Sequence, residues 1–250
     1  MQWFDELWRA VNKMGYSQAP SALPPVLHNN ELEGKRLRYL IGTDTPGIGA
    51  ADLVTEVSYD NTKPVPNGIS IKYCNLFDEK NTGEYGPYLH DSDTADQYGE
   101  GQIDPRGPGW KKNLDEQCSR AVSQGFRYIE LDNPDAYSVS DVLGAVDVAA
   151  SHGLKVIAKN PLLLGGTVAP YISHTAVMGA IVERGAGSAK DMDALRQVAG
   201  KPALPVWFVA FDTGWPWIQA TAKQCKPFKE MYCTFSSLGE YGNAKDITWA

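Results

Sequence analysis

Short apolar runs recur along the chain from about residue 35, and polar or helical segments separate them. Runs of this length, bounded by polar residues, are typical of buried strands. Seven are predicted as strands: Leu37–Ile41, Ile69–Tyr73, Tyr128–Leu131, Leu154–Ala158, Val177–Val182, Val206–Phe211 and Met231–Phe235. An eighth strand, third in chain order, is predicted around Tyr88-Leu89-His90 within the polar region 78–109.

Helical patterns lie between several of these strands, at Asn113–Gln124, Val139–His152 and Ala189–Ala199. Strands that alternate with helices form βαβ units and pair in parallel. The chain has 250 residues, the usual size of a closed eight-stranded barrel. The predicted fold is therefore α/β, a single (β/α)₈ TIM-type barrel over residues 35–250. The glycines of segment 42–49 form neither GxGxxG nor GK[ST], which disfavours an open nucleotide-binding sheet.

The first 34 residues are predicted to be a separate helix and linker. Phe4, Leu7, Trp8 and Val11 have the spacing of one helical face, and Pro20, Pro24 and Pro25 follow in a semi-rigid stretch. Two interpretations stay open. The helix either covers an open end of the barrel, or residues 1–14 bind a protein partner through their aromatic side chains.

Charge and composition exclude several classes of function. The chain has 23 Lys and Arg against 30 Asp and Glu, a net charge of −7, so a nucleic acid ligand is not expected. No apolar run approaches the ~18 residues of a membrane span, and residues 1–6 do not resemble a secretory signal. The four cysteines lack CxxC or Cys/His spacing, and no metal or cofactor is predicted. The cellular location stays open.

Candidate chemistry comes from the residues that end strands four to seven. In parallel barrels functional residues lie at the carboxyl ends of the strands, which here carry Asp132, Lys159-Asn160, Glu183 and Asp212. Asp132 and Glu183 are expected at the mouth of the barrel, where two carboxylates can flank one scissile glycosidic bond. In the alternative, Asp132 and Asp135 cap the following turn and helix while Glu183 pairs with Arg184 or Lys159.

A sugar site also needs polar groups for hydroxyls and flat apolar faces. Asn133, Asp135, Lys159 and Asn160 are predicted to orient substrate, and Asp212 to bind a hydroxyl or an amino group. We expect Asp132 to be kept ionised by hydrogen bonds or by a nearby cation such as Lys159. The predicted stacking platforms are Tyr137, Trp215 and Trp217.

Residues 101–185 resemble glycoside hydrolase family 114, the endo-α-1,4-polygalactosaminidases. The likeness is carried by residues 125–137, which include Glu130-Leu131-Asp132-Asn133, by Asp104-Pro105-Arg106 before them, and by residues 153–160 and the strand ending in Glu183. It implies a (β/α)₈ barrel that cleaves α-1,4 links in galactosamine-containing polysaccharide, with catalytic residues at the positions of Asp132 and Glu183. It also suggests an extracellular or cell-wall substrate.

The predicted reaction is retaining cleavage, in which Asp132 attacks the anomeric carbon and Glu183 serves as acid and then base. Two other functions stay open. One is a lysozyme-like peptidoglycan hydrolase, such as a phage or bacterial endolysin, on a similar barrel. The other is a non-catalytic carbohydrate-binding barrel in which Tyr137, Trp215 and Trp217 hold sugar.

Overall fold

A computed structural model describes residues 30–40, 53–57, 63–64, 68–77, 83–89, 100–164, 168–183, 187–211 and 215–236. Within these residues there are eight strands: β1 (Arg36–Leu40), β2 (Leu53–Val57), β3 (Ile69–Asn75), β4 (Tyr128–Asp132), β5 (Lys155–Lys159), β6 (Val177–Glu183), β7 (Val206–Phe211) and β8 (Met231–Ser236). The described α-helices are α1 (Pro108–Ser123), α2 (Val139–Ser151), α3 (Ala169–Ser173), α4 (Ala189–Val198) and α5 (Trp215–Cys225).

The eight strands form one sheet in chain order, and every neighbouring pair is parallel. The predicted α/β class with parallel strands is confirmed. The first and last strands also approach each other: β1 lies against β8, and the Gly34 N–H donates a hydrogen bond of 2.7 Å to Glu230 Oε2. The carboxyl ends of all the strands therefore lie at the same edge of the sheet.

One of the eight predicted strands is wrong. Tyr88 makes only an isolated antiparallel bridge with Ile103, and no strand forms at Tyr88-Leu89. The strand that sequence analysis missed is β2, in which Thr55 and Glu56 interrupt the apolar pattern. The other seven predicted strands are confirmed, with bounds that differ by at most two residues.

Buried apolar side chains form two clusters, one on each face of the sheet. The larger cluster lies between the sheet and the helices. The smaller one draws side chains from six strands, so the sheet curves around it: Leu32, Leu37, Ile69, Ile71, Tyr128, Ile157, Ile181, Trp207 and Val209. Trp207 is fully buried there and donates from Nε1 to the Lys35 carbonyl at 2.9 Å. This smaller cluster is called the inner cluster below.

The inner cluster supports a polar layer. On each of β3 to β6 a polar residue follows two positions after a member of the cluster, and alternation along a strand makes the two face the same way. The four pairs are Ile71 and Tyr73, Tyr128 and Glu130, Ile157 and Lys159, and Ile181 and Glu183. The polar residues therefore lie above an apolar base, at the edge where the strands end.

Helix α2 begins at Val139, directly after its cap at Ser138, and the preceding strand β4 ends at Asp132. The Ser138 hydroxyl accepts a hydrogen bond from the Asp141 N–H, and the Asp141 carboxylate accepts from the Ser138 N–H, which forms a capping box. This cap fixes where the chain turns after Asp132. Ser138 therefore provides the cap that the sequence alternative assigned to Asp132 or Asp135.

The predicted helix and linker lie outside the described residues, except for residues 30–34, and the boundary at residue 35 stays a prediction. The described residues from Leu32 onward belong to one compact unit. All four cysteines are buried and free, including Cys225 and Cys233. None of the helices in the described ranges is both long and apolar enough to cross a membrane.

Gly179 makes room for Trp207, and this predicts a stability difference between two glycine substitutions. A Cβ at Gly179 would lie 2.8 Å from the Trp207 ring and 3.2 Å from Ile157 Cδ1, so Gly179→Ala should lower the free energy of unfolding by about 1–3 kcal/mol. Gly144 in α2 has no neighbour within 4 Å of its Cβ position. Gly144→Ala should leave stability unchanged or raise it by about 0.5–1 kcal/mol. Urea unfolding of both variants measures the difference, and equal stabilities would contradict this account of the inner cluster.

Candidate active site

Five polar side chains meet where β3 to β6 end. Asp132, Lys159 and Glu183 are the last residues of β4, β5 and β6, and Glu130 and Tyr73 are paired across β4 and β3. Because these strands are parallel neighbours, their ends bring the side chains to one place. The structure thus brings the predicted catalytic pair together with Lys159.

Lys159 is the centre of this group. Its side chain is 1% exposed, and its Nζ lies 2.8 Å from Glu130 Oε1, 3.2 Å from Glu183 Oε1 and 3.3 Å from Asp132 Oδ1. Glu130 is completely buried, whereas the Asp132 and Glu183 side chains are 16% and 29% exposed. The Lys159 ammonium is therefore the shared ion-pair partner of one buried carboxylate and two partly exposed carboxylates.

These contacts limit the separation of the two accessible carboxylates. Asp132 Oδ1 and Glu183 Oε1 lie 3.3 and 3.2 Å from the same nitrogen atom, so they are at most about 6.5 Å apart. Paired carboxyl groups of retaining glycosidases are about 5–5.5 Å apart, and those of inverting enzymes about 6.5–9.5 Å. The two oxygens thus lie close enough to act on one glycosidic bond.

Asp132 has a hydrogen-bond donor for each of its oxygens. Lys159 Nζ contacts Oδ1, and the Tyr73 hydroxyl donates to Oδ2 at 2.7 Å. Burial raises the pKa of Tyr73 far above its usual value, and the negative charge of Asp132 raises it further. The phenol therefore stays protonated and keeps its hydrogen available for Asp132.

Glu183 is held by the residue that follows Lys159. Asn160 Nδ2 donates to Glu183 Oε2 at 2.8 Å, and the Glu183 N–H donates to Asn160 Oδ1 at 2.8 Å. Asn160 has φ 41°, a left-handed conformation that asparagine adopts more readily than most residues. This turn directs the Asn160 amide to β6, so the predicted substrate-orienting group is engaged in positioning Glu183.

Asn133 has the same relation to β3. It follows Asp132 with φ 57°, and its Nδ2 donates to Asn75 Oδ1 at 3.0 Å. Asn75 is fully buried and exchanges two hydrogen bonds with Gln117 of α1, which accepts from the Asn75 N–H and donates to the Asn75 carbonyl. The end of β4 is thereby fixed to β3 and to α1, and Asp132 is fixed with it.

Tyr137 does not have the surroundings predicted for it. Its side chain is 7% exposed, its hydroxyl donates to the Leu76 carbonyl at 2.9 Å, and its ring packs against Trp110 with centroids 5.3 Å apart. A stacking platform needs an open ring face, whereas Tyr137 is part of the core. The same hydrogen bond and ring contact show why an aromatic residue lies there.

The remaining predicted site residues are placed only in part. Asp135 is exposed in the 3₁₀ turn Pro134–Ala136, directly after Asp132 and Asn133. Asp212 lies outside the described residues. Trp215 and Trp217 begin helix α5, and their side chains lie outside the described part of the structure. Sugar binding by these four residues stays a prediction.

Sequence analysis did not identify Tyr73, Asn75 or Glu130 as site residues. Asp132 and Glu183 follow from the rule that strand ends carry function, but Tyr73 lies inside β3, two residues before its end. Alternation along β3 was the available signal, since Ile69, Ile71 and Tyr73 face the same way. The sequence alone does not show that β3 lies beside β4, so it could not place Tyr73 next to Asp132.

The group carries a net negative charge, because Glu130, Asp132 and Glu183 share the ammonium of Lys159. A deficit of positive charge beside two accessible carboxylates favours a cationic ligand over an anionic one. Among the described residues, no group of three or more His, Cys, Asp and Glu side chains has the arrangement to hold a metal ion.

Comparisons with family models and with the sequences of curated proteins found no match. Solved structures with a similar fold include Ega3 of Aspergillus fumigatus in complex with galactosamine, with a TM-score of 0.66 and 12% identity over 87% of this chain and 95% of that one. The glycoside hydrolase domain of PelA from Pseudomonas aeruginosa is also similar, with a TM-score of 0.55 and 14% identity over 84% of this chain and 98% of that one. At these identities the likeness shows the fold alone, and the chain shares that fold with Ega3 and with the glycoside hydrolase domain of PelA.

Proposed function

We propose that this protein is a glycoside hydrolase whose catalytic pair is Asp132 and Glu183. One observation carries the proposal. Two accessible carboxylates, at the ends of β4 and β6, both lie within 3.3 Å of the buried ammonium of Lys159. Most glycoside hydrolases use two carboxyl groups that flank the scissile bond. The fold shared with Ega3 and the PelA hydrolase domain supports the same activity.

The reaction proposed is a double displacement. A carboxylate oxygen of Asp132 attacks the anomeric carbon, the bond from that carbon to the leaving oxygen breaks, and Glu183 gives its proton to the leaving oxygen. Water then attacks the glycosyl ester, gives a proton to Glu183 and restores the Asp132 carboxylate. The Tyr73 hydroxyl and the Lys159 ammonium hold Asp132 in one orientation for the attack.

The proposed substrate is a polysaccharide that contains galactosamine, cleaved internally at α-1,4 links. Three features support it: the net negative charge of the site, the galactosamine bound to Ega3, and the resemblance of residues 101–185 to glycoside hydrolase family 114. A free amino group on the sugar is cationic and fits a site with more carboxylates than ammonium groups. Asp135, exposed beside Asp132, is a candidate for contact with a neighbouring sugar.

We also propose that the curved parallel sheet is a closed (β/α)₈ barrel with the site at its mouth. The contact of β1 with β8 supports closure, as do the Gly34 to Glu230 hydrogen bond and the hydrogen bond from Trp207 to Lys35. The inner cluster would then be the filled interior of the barrel, which is the usual way such barrels are packed.

Substitution of either catalytic carboxylate should abolish hydrolysis. We expect Asp132→Asn and Glu183→Gln each to lower kcat by about 10²–10⁴-fold or more, because one removes the nucleophile and the other the acid. The measurement is the release of reducing ends from partly deacetylated galactosamine polymers. Glu116→Gln, at an exposed position on α1, is the matched control and should retain full activity.

The same assay separates the proposal from its alternatives when peptidoglycan is included. Cleavage of peptidoglycan alone would identify a lysozyme-like enzyme instead. Sugar binding without release of reducing ends from any polymer would identify a carbohydrate-binding barrel. Unchanged activity in Asp132→Asn or Glu183→Gln would refute the assigned pair.

A second prediction concerns stereochemistry. If Asp132 forms a covalent ester, hydrolysis of an α-linked polymer first releases the α anomer, because two inversions restore the configuration. Proton NMR during the first minutes of the reaction identifies that anomer before mutarotation. Initial release of the β anomer would show that the enzyme inverts the configuration and that no covalent ester forms on Asp132.

Tyr73→Phe should lower kcat by about tenfold, because Asp132 Oδ2 loses its hydroxyl donor while the ring remains. The raised pKa keeps the phenol protonated, so the loss should be the same at about pH 6 and about pH 9. Steady-state kinetics of wild type and variant at both pH values measure the ratio. A loss confined to one pH value would show that Tyr73 titrates in the working range, contrary to its burial.

A further inference from the structure

Burial of the ion pair of Glu130 and Lys159 costs free energy, so its presence calls for a functional explanation. Charged side chains that are 0% and 1% exposed lose nearly all their hydration, and apolar residues of similar size would usually be as stable or more so. Tyr128 and Ile157, which lie two positions before Glu130 and Lys159 on the same strands, both belong to the inner cluster. The pair is therefore buried between the apolar inner cluster and the two accessible carboxylates.

Lys159 is too deeply buried to bind the substrate directly. Its side chain is 1% exposed, and Nζ is surrounded by oxygens of Glu130, Asp132 and Glu183. Its effect on the reaction must pass through Asp132 and Glu183, whose side chains are partly exposed. This placement differs from the substrate-orienting role predicted from the sequence.

The proposed reaction moves one negative charge from Asp132 to Glu183. Before attack Asp132 is a carboxylate and Glu183 carries the proton; in the covalent intermediate Asp132 is a neutral ester and Glu183 has become the carboxylate. Lys159 Nζ is 3.3 Å from the oxygen of the first and 3.2 Å from that of the second. The ammonium thus lies beside the charge both before and after the first displacement.

We propose that Lys159 is a positioning residue that serves as the common counter-ion of Asp132 and Glu183 through the catalytic cycle, and that Glu130 holds it between them. This inference rests on the proposed function. Glu130 is completely buried and has no proton-transfer role in the proposed reaction, and its distance of 2.8 Å from Lys159 Nζ is shorter than those of Asp132 and Glu183. The counter-ion therefore keeps its place while the charges on the other two carboxyl groups interchange.

Several titratable groups surround Lys159, and a pH-dependence test must distinguish their contributions. They come from three strands and one helix: Glu130 and Asp132 on β4, Glu183 on β6, Tyr73 on β3, and Tyr171 on α3, which lies near Glu130. Burial raises the pKa of both tyrosines, so they stay neutral in the working range. The groups that change charge during turnover are then Asp132 and Glu183.

Removal of Lys159 should move both limbs of the pH–rate profile. Because Lys159→Met removes a positive charge 3.2–3.3 Å from both accessible carboxyl groups, it should shift the acid and the alkaline limb of the kcat/KM profile toward higher pH. We expect kcat to fall by about 10²-fold and KM to change little, because the lysine does not touch the sugar. Activity against the galactosamine polymer from pH 4 to pH 10 provides the profile.

Two further variants make the test specific. Lys159→Met leaves Glu130 buried without a cation and can fail to fold, so the double variant Glu130→Gln with Lys159→Met removes both charges and should show the same upward shift. Lys155→Met is the control: Lys155 begins the same strand, about 13 Å from Lys159, with Nζ near the Tyr128 ring. Its profile should match that of the wild type.

The outcomes distinguish this inference from the function on which it rests. An active wild type whose Lys159 variants keep both limbs in place, or show only a raised KM, would overturn the counter-ion role and leave the glycosidase intact. An equal shift in Lys155→Met would overturn it as well, because the effect would not be specific. A wild type that cleaves none of the polymers would refute the proposed function itself.

Discussion

The position of one buried ammonium determines the geometry of the site. Lys159 is buried at the end of β5, and its Nζ lies within 3.3 Å of carboxylate oxygens on β4 and β6. Because an ammonium without partners in such surroundings would be very costly, the strands on either side must present oxygens to it. The pairing of β4 with β5 and of β5 with β6 thereby fixes the relation of Asp132 to Glu183.

The turns after β4 and β5 are built in the same way. Each strand ends in a charged residue, and an asparagine in left-handed conformation follows it. The chain can then leave the sheet at once while the asparagine amide turns back, Asn133 to β3 and Asn160 to β6. Amides that sequence patterns assign to substrate binding therefore connect neighbouring strands in this structure.

Much of this could be predicted from the sequence, for identifiable reasons. Parallel α/β order follows from the alternation of apolar runs and helices, and the two carboxylates follow from their positions at strand ends. Strand β2 was missed because Thr55 and Glu56 conceal its apolar pattern, and the alternative at Tyr88 lies in a segment that makes only one bridge. Tyr137 was misassigned because a ring after a strand looks the same in sequence whether it faces solvent or packs on Trp110.

The polar layer depends on the apolar layer below it. Trp207 fills the inner cluster because Gly179 leaves space for its ring, and Ile71, Tyr128, Ile157 and Ile181 complete the base on which the charged residues rest. An apolar base excludes water from beneath Lys159, and electrostatic contacts are stronger where water is excluded. The same exclusion makes every unpaired charge there expensive. In the proposed reaction a negative charge passes from Asp132 to Glu183, and Lys159, which is held by the buried Glu130, lies within 3.3 Å of an oxygen of each of these carboxyl groups.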